Sequence, residues 1–109
     1  MFKLTTNPTF KHTVAAMVPI NGGHRRETFS ATYNVLETDH PALGSLDTHE
    51  GTTAFLHAAI ERLDDIADEN GDPLEWNDDV RDQVLRLPYA RIALISGYFE
   101  GIAKAKKGN

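Results

Sequence analysis

The chain has 109 residues, 40% hydrophobic and 25% charged, a length and composition that predict one ordinary globular domain over residues 1–109. With no cysteine, it excludes disulfides, cysteine–zinc sites and a thiol nucleophile. The net charge of −5 is uneven: residues 61–82 hold ten acids and two bases, and Lys104-Ala105-Lys106-Lys107-Gly108-Asn109 form a basic tail, 104–109.

A chain whose longest charge-rich stretch is acidic is a poor grip for phosphate backbones, so no nucleic-acid partner is expected. The acidic stretch itself reads as a solvated surface or as a face for a basic partner. No apolar run reaches the 18 or so residues of a membrane span. The opening Met1-Phe2-Lys3-Leu4-Thr5-Thr6-Asn7-Pro8 lacks the features of a signal peptide. A soluble cytoplasmic protein without a membrane partner is the expectation.

Residues 10–35 predict a β-hairpin, within a β part spanning 1–36. Phe29, Ala31, Tyr33 and Val35 alternate with Thr28, Ser30, Thr32 and Asn34, a two-residue period. The preceding half carries Phe10, Val14, Ala16 and Val18 on one parity. Asn21-Gly22 between them suits a type I′ turn. That turn pairs Val14 with Phe29 and Phe10 with Tyr33, so both apolar parities share one side. Met1–Leu4 is a candidate third short strand, with Pro8 interrupting any continuation. Asp39-His40-Pro41 and Gly44-Ser45 mark a connector.

Residues 47–106 predict three helices. Asp47-Thr48-His49-Glu50 resembles a capping box with Asp47 as N-cap. Leu56, Ala59, Ile60, Leu63 and Ala67 then form a helical stripe, ended by Asn70-Gly71-Asp72-Pro73. A second helix starts at an Asn77 cap and turns Val80, Val84 and Leu87 inward. Pro88 closes it and suits the first turn of a third, running from Tyr89 to about Lys106. The fold class expected is α+β.

No constellation carries chemistry. Setting Gly71 as the sixth residue of an EF-hand loop leaves Ile66 and Asn77 where the anchoring carboxylates belong. His49 and His57, eight apart, do not share an ion along one helix, and His12, His24 and His40 have no evident partners. None of Ser30, Ser45 and Ser96 sits in a G-x-S-x-G setting. No enzyme activity, metal or cofactor is expected.

The third helix carries the candidate site. Ala93, Gly97, Gly101 and Ala105 recur every four residues, although glycine in a helix interior costs about 1 kcal/mol. Such a bare ridge admits another backbone closely, either within the molecule or at a subunit or partner interface. Ile95, Tyr98, Phe99 and Ile102 form a bulky stripe beside it.

Three stretches resemble one family, the small tail assembly chaperones of long-tailed phages and prophages. They are Phe2-Lys3-Leu4 to Asn7-Pro8-Thr9-Phe10 leading into a hairpin with Gly22-Gly23, Asp68-Glu69-Asn70-Gly71-Asp72-Pro73-Leu74, and Tyr98-Phe99-Glu100-Gly101 through Lys107-Gly108-Asn109. One position departs: Leu63 stands where the family would carry a tryptophan, and the sole Trp is Trp76. The resemblance implies a protein that binds and solubilises the tape-measure protein and helps recruit tail tube subunits, with a homo-oligomer as a further expectation. It would act in the cytoplasm of the bacterial host and be absent from the mature virion. A structural head–tail connector or tail-terminator protein, and an acidic inhibitor of a host factor, are the alternative readings.

Overall fold

The structure is a computed structural model that describes residues 1–103. Its elements run β1 (Thr9–Ile20), β2 (Gly23–Asn34), a 3-10 turn (Pro41–Leu43), α1 (His49–Ala59), β3 (Ile60–Asp64), α2 (Asp78–Leu85) and α3 (Pro88–Ala103). The class is α+β, with an antiparallel sheet in the order β1-β2-β3 and an N-terminal hairpin followed by helices.

The hairpin has the expected register. Phe10 faces Tyr33 and Val14 faces Phe29, with Asn21 and Gly22 as the two-residue loop. The turn is not type I′, because of its two central residues only Gly22 has positive φ, at 81°. A loop of two residues fixes the pairing whichever of these turn types closes it. Val14, Ala16, Phe29, Ala31 and Tyr33 are buried on one face of the sheet.

The third strand is not where the sequence suggests. Met1, Phe2 and Leu4 are exposed and lie in no strand. Ile60–Asp64 pairs with β2 instead, placing Leu63 opposite Ala31 and Ile60 opposite Tyr33. The first helix therefore ends at Ala59 rather than near Ala67. A register shift between Thr32 and Tyr33 is a bulge that gives β3 one extra residue. It lets Ile60 and Leu63, three apart, point to the same side. Both are buried, at 6% and 1% exposure. A bulged strand thus reproduces the apolar spacing of a helix.

Asn70-Gly71-Asp72-Pro73 ends no helix but folds the loop after β3. Ala67 bridges Pro73, and the Asp68 carboxylate accepts the N–H groups of Asn70 and Asp72 at 2.9 and 3.0 Å. Gly71 supplies the positive φ, 87°, that the tight loop requires.

The N-cap of α1 is Thr48, not Asp47: its hydroxyl accepts the Gly51 N–H at 2.9 Å. Asn77 caps α2 as expected, accepting from Val80 N–H at 2.8 Å. Within α2 Val80 and Leu85 are buried, whereas Leu87 just beyond it is 41% exposed. Val84 packs half-buried against the core, and the last inward position of the helix is Leu85 rather than Leu87. Pro88 opens α3; its missing N–H is one that a first helical turn leaves unpaired in any case.

The core lies between the sheet's inner face and the helices. Phe55, Leu56, Ala59, Leu94 and Tyr98 close over Val14, Ala31, Tyr33 and Leu63. Arg91 ties the three helices together. Its guanidinium donates to the Leu85 carbonyl at 3.2 Å, the His49 carbonyl at 3.3 Å, and the Thr52 and Thr53 hydroxyls at 2.6 and 3.0 Å. No helix among the described residues is long and apolar enough to cross a membrane.

Candidate interaction surface on the last helix

The small-residue ridge of α3 packs against the hairpin of the same chain. A Cβ at Gly97 would stand 2.8 Å from the Tyr33 hydroxyl and 3.3 Å from Val14 Cγ2. A Cβ at Gly101 would run into the Phe10 ring. Ala93 is buried at 9% exposure. The close neighbour for which these positions stay small is β1 and the Tyr33 side chain. Ala105, the last member of the ridge, and the basic tail lie outside the described residues.

The bareness at Gly97 has a specific use. It lets the Tyr33 hydroxyl reach past the helix surface and donate to the Leu94 carbonyl at 2.7 Å. Burial, and secondarily the Glu100 carboxylate, holds that hydroxyl far above the ordinary tyrosine range, so it stays protonated and donating. Tyr98 anchors the other side: it is 3% exposed, and its hydroxyl accepts the Leu36 N–H at 3.0 Å.

These tyrosines belong to a run of rings that crosses the molecule. Phe10 and Tyr33 lie 5.1 Å apart between centroids, Tyr33 and Tyr98 5.5 Å, and Tyr98 and Phe55 5.1 Å. Phe55 then stacks on Phe99 at 5.6 Å with planes 4° apart. The edge-to-face and offset geometries are favourable ones. Phe99 is the outer end of this run and remains 40% exposed. Ile102, one turn further, is 47% exposed. Of the seven candidate residues, Ala93, Gly97 and Tyr98 are thus spent inside the monomer and Gly101 lies against Phe10. Phe99 and Ile102 are the two that face outward.

A second surface borders the ridge and shares Ala93 and Gly97 with it. A groove of about 840 Å³ runs between β1 and α3. Thr13, Ala15 and Met17 line it from the strand, and Ile92, Ser96 and Glu100 from the helix. Ile92 is 66% exposed and Met17 50%. The eight-residue stretch Thr13–Ile20, free of charge, was the available signal.

Among the described residues no group of three or more His, Asp or Glu side chains could hold a metal ion. His12 lies 3.6 Å from Glu100 as an isolated pair. No family model matches the chain, and no curated protein or solved structure matches it either.

Proposed function

We propose that this protein is a tail assembly chaperone of a long-tailed phage or prophage, which binds the tape-measure protein, keeps it soluble and helps recruit tail tube subunits. The reading starts from the three stretches that resemble that family. The observation that carries it furthest is the outer stripe of α3, where Phe99 and Ile102 remain exposed beside half-buried Ile95 on the helix that closes the core. Those positions follow the i, i+4, i+7 spacing by which one helix lies along another. Phe99 is also preorganised: stacked on Phe55, it has little side-chain freedom left to lose on binding. A tape-measure protein is a long helical chain with apolar faces, so a rigid apolar stripe of helical period is a suitable temporary cover. Contacts of two or three residues each are weak, which suits a cover that must yield to tube subunits.

Co-expression with the tape-measure protein of the same phage tests this. The tape-measure protein should move from pellet to supernatant and co-purify with the chaperone. The Phe99→Asp, Ile102→Asp double variant should stay folded by circular dichroism and lose both effects. If the wild type neither binds nor solubilises the tape-measure protein and is found in purified virions, the reading is wrong, and a head–tail connector replaces it.

A further inference from the structure

The two edges of the sheet are unlike. β3 is five residues long, carries Glu61, Arg62 and Asp64, and is followed at once by Asp65 with φ of 65°. Short length, charge and a backbone turn are devices that keep an edge from pairing with another chain. β1 has none of them along most of its twelve residues. Lys11 is its one Lys, Arg, Asp or Glu, and Thr13–Ile20 carries no formal charge.

The hairpin register says which main-chain groups of β1 are free. In a two-residue hairpin the pair flanking the loop, here Ile20 and Gly23, is hydrogen-bonded, and bonded pairs then alternate. Val18, Ala16, Val14, His12 and Phe10 therefore point N–H and C=O at β2. Lys11, Thr13, Ala15 and Met17 point theirs away from the sheet. None of those four N–H groups has a partner among the hydrogen bonds of the described residues. Pro19 occupies an outward position too, where a missing N–H leaves the ladder with β2 intact.

We propose that a second copy of this chain pairs along this edge, β1 antiparallel to β1 about a two-fold axis, making one six-stranded sheet. Self-pairing is favoured because the strand complements itself. With Val14 beside the axis, Thr13 lies opposite the partner's Ala15 and Lys11 opposite the partner's Met17. Every outward N–H then meets a carbonyl, and Pro19 falls at the end of the pair, opposite the partner's Thr9. The apolar inner face continues across the junction, with Phe10 opposite the partner's Val18.

Charge and shape point the same way. Lys11 is the one formally charged residue of the edge, and the two-fold sets it against the partner's uncharged Met17, so the paired strands bring no like charges opposite one another. The groove between β1 and α3 leaves space along the edge, and Ser96 and Gly97 keep the α3 side of that groove low. The two α3 helices would lie on one face, each bringing an exposed Ile92 to the seam. Dimerisation through β1 does not rest on the chaperone reading, because its main-chain pairing uses neither Phe99 nor Ile102; Ile92, seven residues before Phe99, shares the Phe99 face of α3.

Sedimentation of the full chain at micromolar concentration should give twice 12.1 kDa. Ala15→Pro removes one outward donor at the centre of the junction and no bond to β2, so it should keep the circular dichroism of the wild type and sediment at half the wild-type mass. Hydrogen exchange gives a second measurement on the wild type alone: the amides of Lys11, Thr13, Ala15 and Met17 should exchange about tenfold or more slower in concentrated than in dilute solution. A wild type that is monomeric at micromolar concentration, or fast exchange at those four amides at every concentration, overturns the proposal. So does an Ala15→Pro variant that folds and remains dimeric. If that variant unfolds, the exchange measurement decides. A monomer that still solubilises the tape-measure protein would sink the dimer alone.

Discussion

Replacing Gly97 by alanine should destabilise this protein, against the usual sign for a helix. In an exposed helix interior the change gains about 1 kcal/mol. Here the new Cβ would sit 2.8 Å from the Tyr33 hydroxyl on β2 and 3.3 Å from Val14 Cγ2 on β1, strands that cannot retreat without breaking their pairing. Displacing the hydroxyl loses its bond to the Leu94 carbonyl, about 1 kcal/mol, and the added methyl overpacks a full interior by roughly 1–3 kcal/mol. After the helix gain is subtracted, a net loss of about 1–3 kcal/mol remains, or a melting temperature lower by roughly 5–15 °C for a domain of this size. Thermal unfolding followed by circular dichroism measures it, with exposed Ser96→Ala as the control expected to stay near wild type. In a Tyr33→Phe background the shortest contact is gone, so the cost of Gly97→Ala should shrink by about 1–2 kcal/mol. A variant as stable as wild type, or an unchanged cost in the Phe background, would refute the packing argument.

Thr48→Ala should cost about 1 kcal/mol through loss of the cap on Gly51 N–H, while Asp47→Ala should change the denaturation midpoint little. Alkaline pH should unfold the protein through Tyr33. Its folded pKa is raised by burial and by Glu100, while the unfolded chain releases the proton near pH 10. The stabilisation is therefore complete below about pH 10 and is lost as the pH climbs beyond it. Tyrosinate absorbance should show a step that appears only with unfolding, and Tyr33→Phe should lack that step. Ionisation of Tyr33 in the folded state near pH 10 would contradict the environment described.

The hairpin was legible because local signals agree: the alternation of Phe29, Ala31, Tyr33 and Val35 and the Asn21-Gly22 loop both specify one register. The third strand was not. Ile60 and Leu63 carry helical spacing, and neither glycine nor proline stands at the true stop after Ala59. What ends α1 there is the vacant edge of β2, a tertiary demand that overrides local periodicity. On α3, the four-residue spacing of Ala93, Gly97 and Gly101 announced a close approach without naming the neighbour. Small residues describe a space, and only the placement of Tyr33 and Phe10 identifies what fills it. The aromatic run from Phe10 to Phe99 was equally invisible, since its members come from β1, β2, α1 and α3. The cap on α1 shifted by one residue because Asp47 and Thr48 are both competent acceptors and the choice lies in the backbone entering the helix.

The element that closes the core is also the last of the described elements to be synthesised. Tyr33 finds its acceptor, Leu94, 61 residues downstream. Translation from Asn34 to Ala103 takes roughly 3–14 s at about 5–20 residues per second. Throughout that interval the apolar face of the hairpin has no α3 to cover it. The fold thus cannot be completed before α3 has been made, and a chain stalled before Leu94 would leave Val14, Phe29 and Tyr33 without their α3 cover. Such a fragment is suited to clumping and to capture by proteases rather than to partial activity.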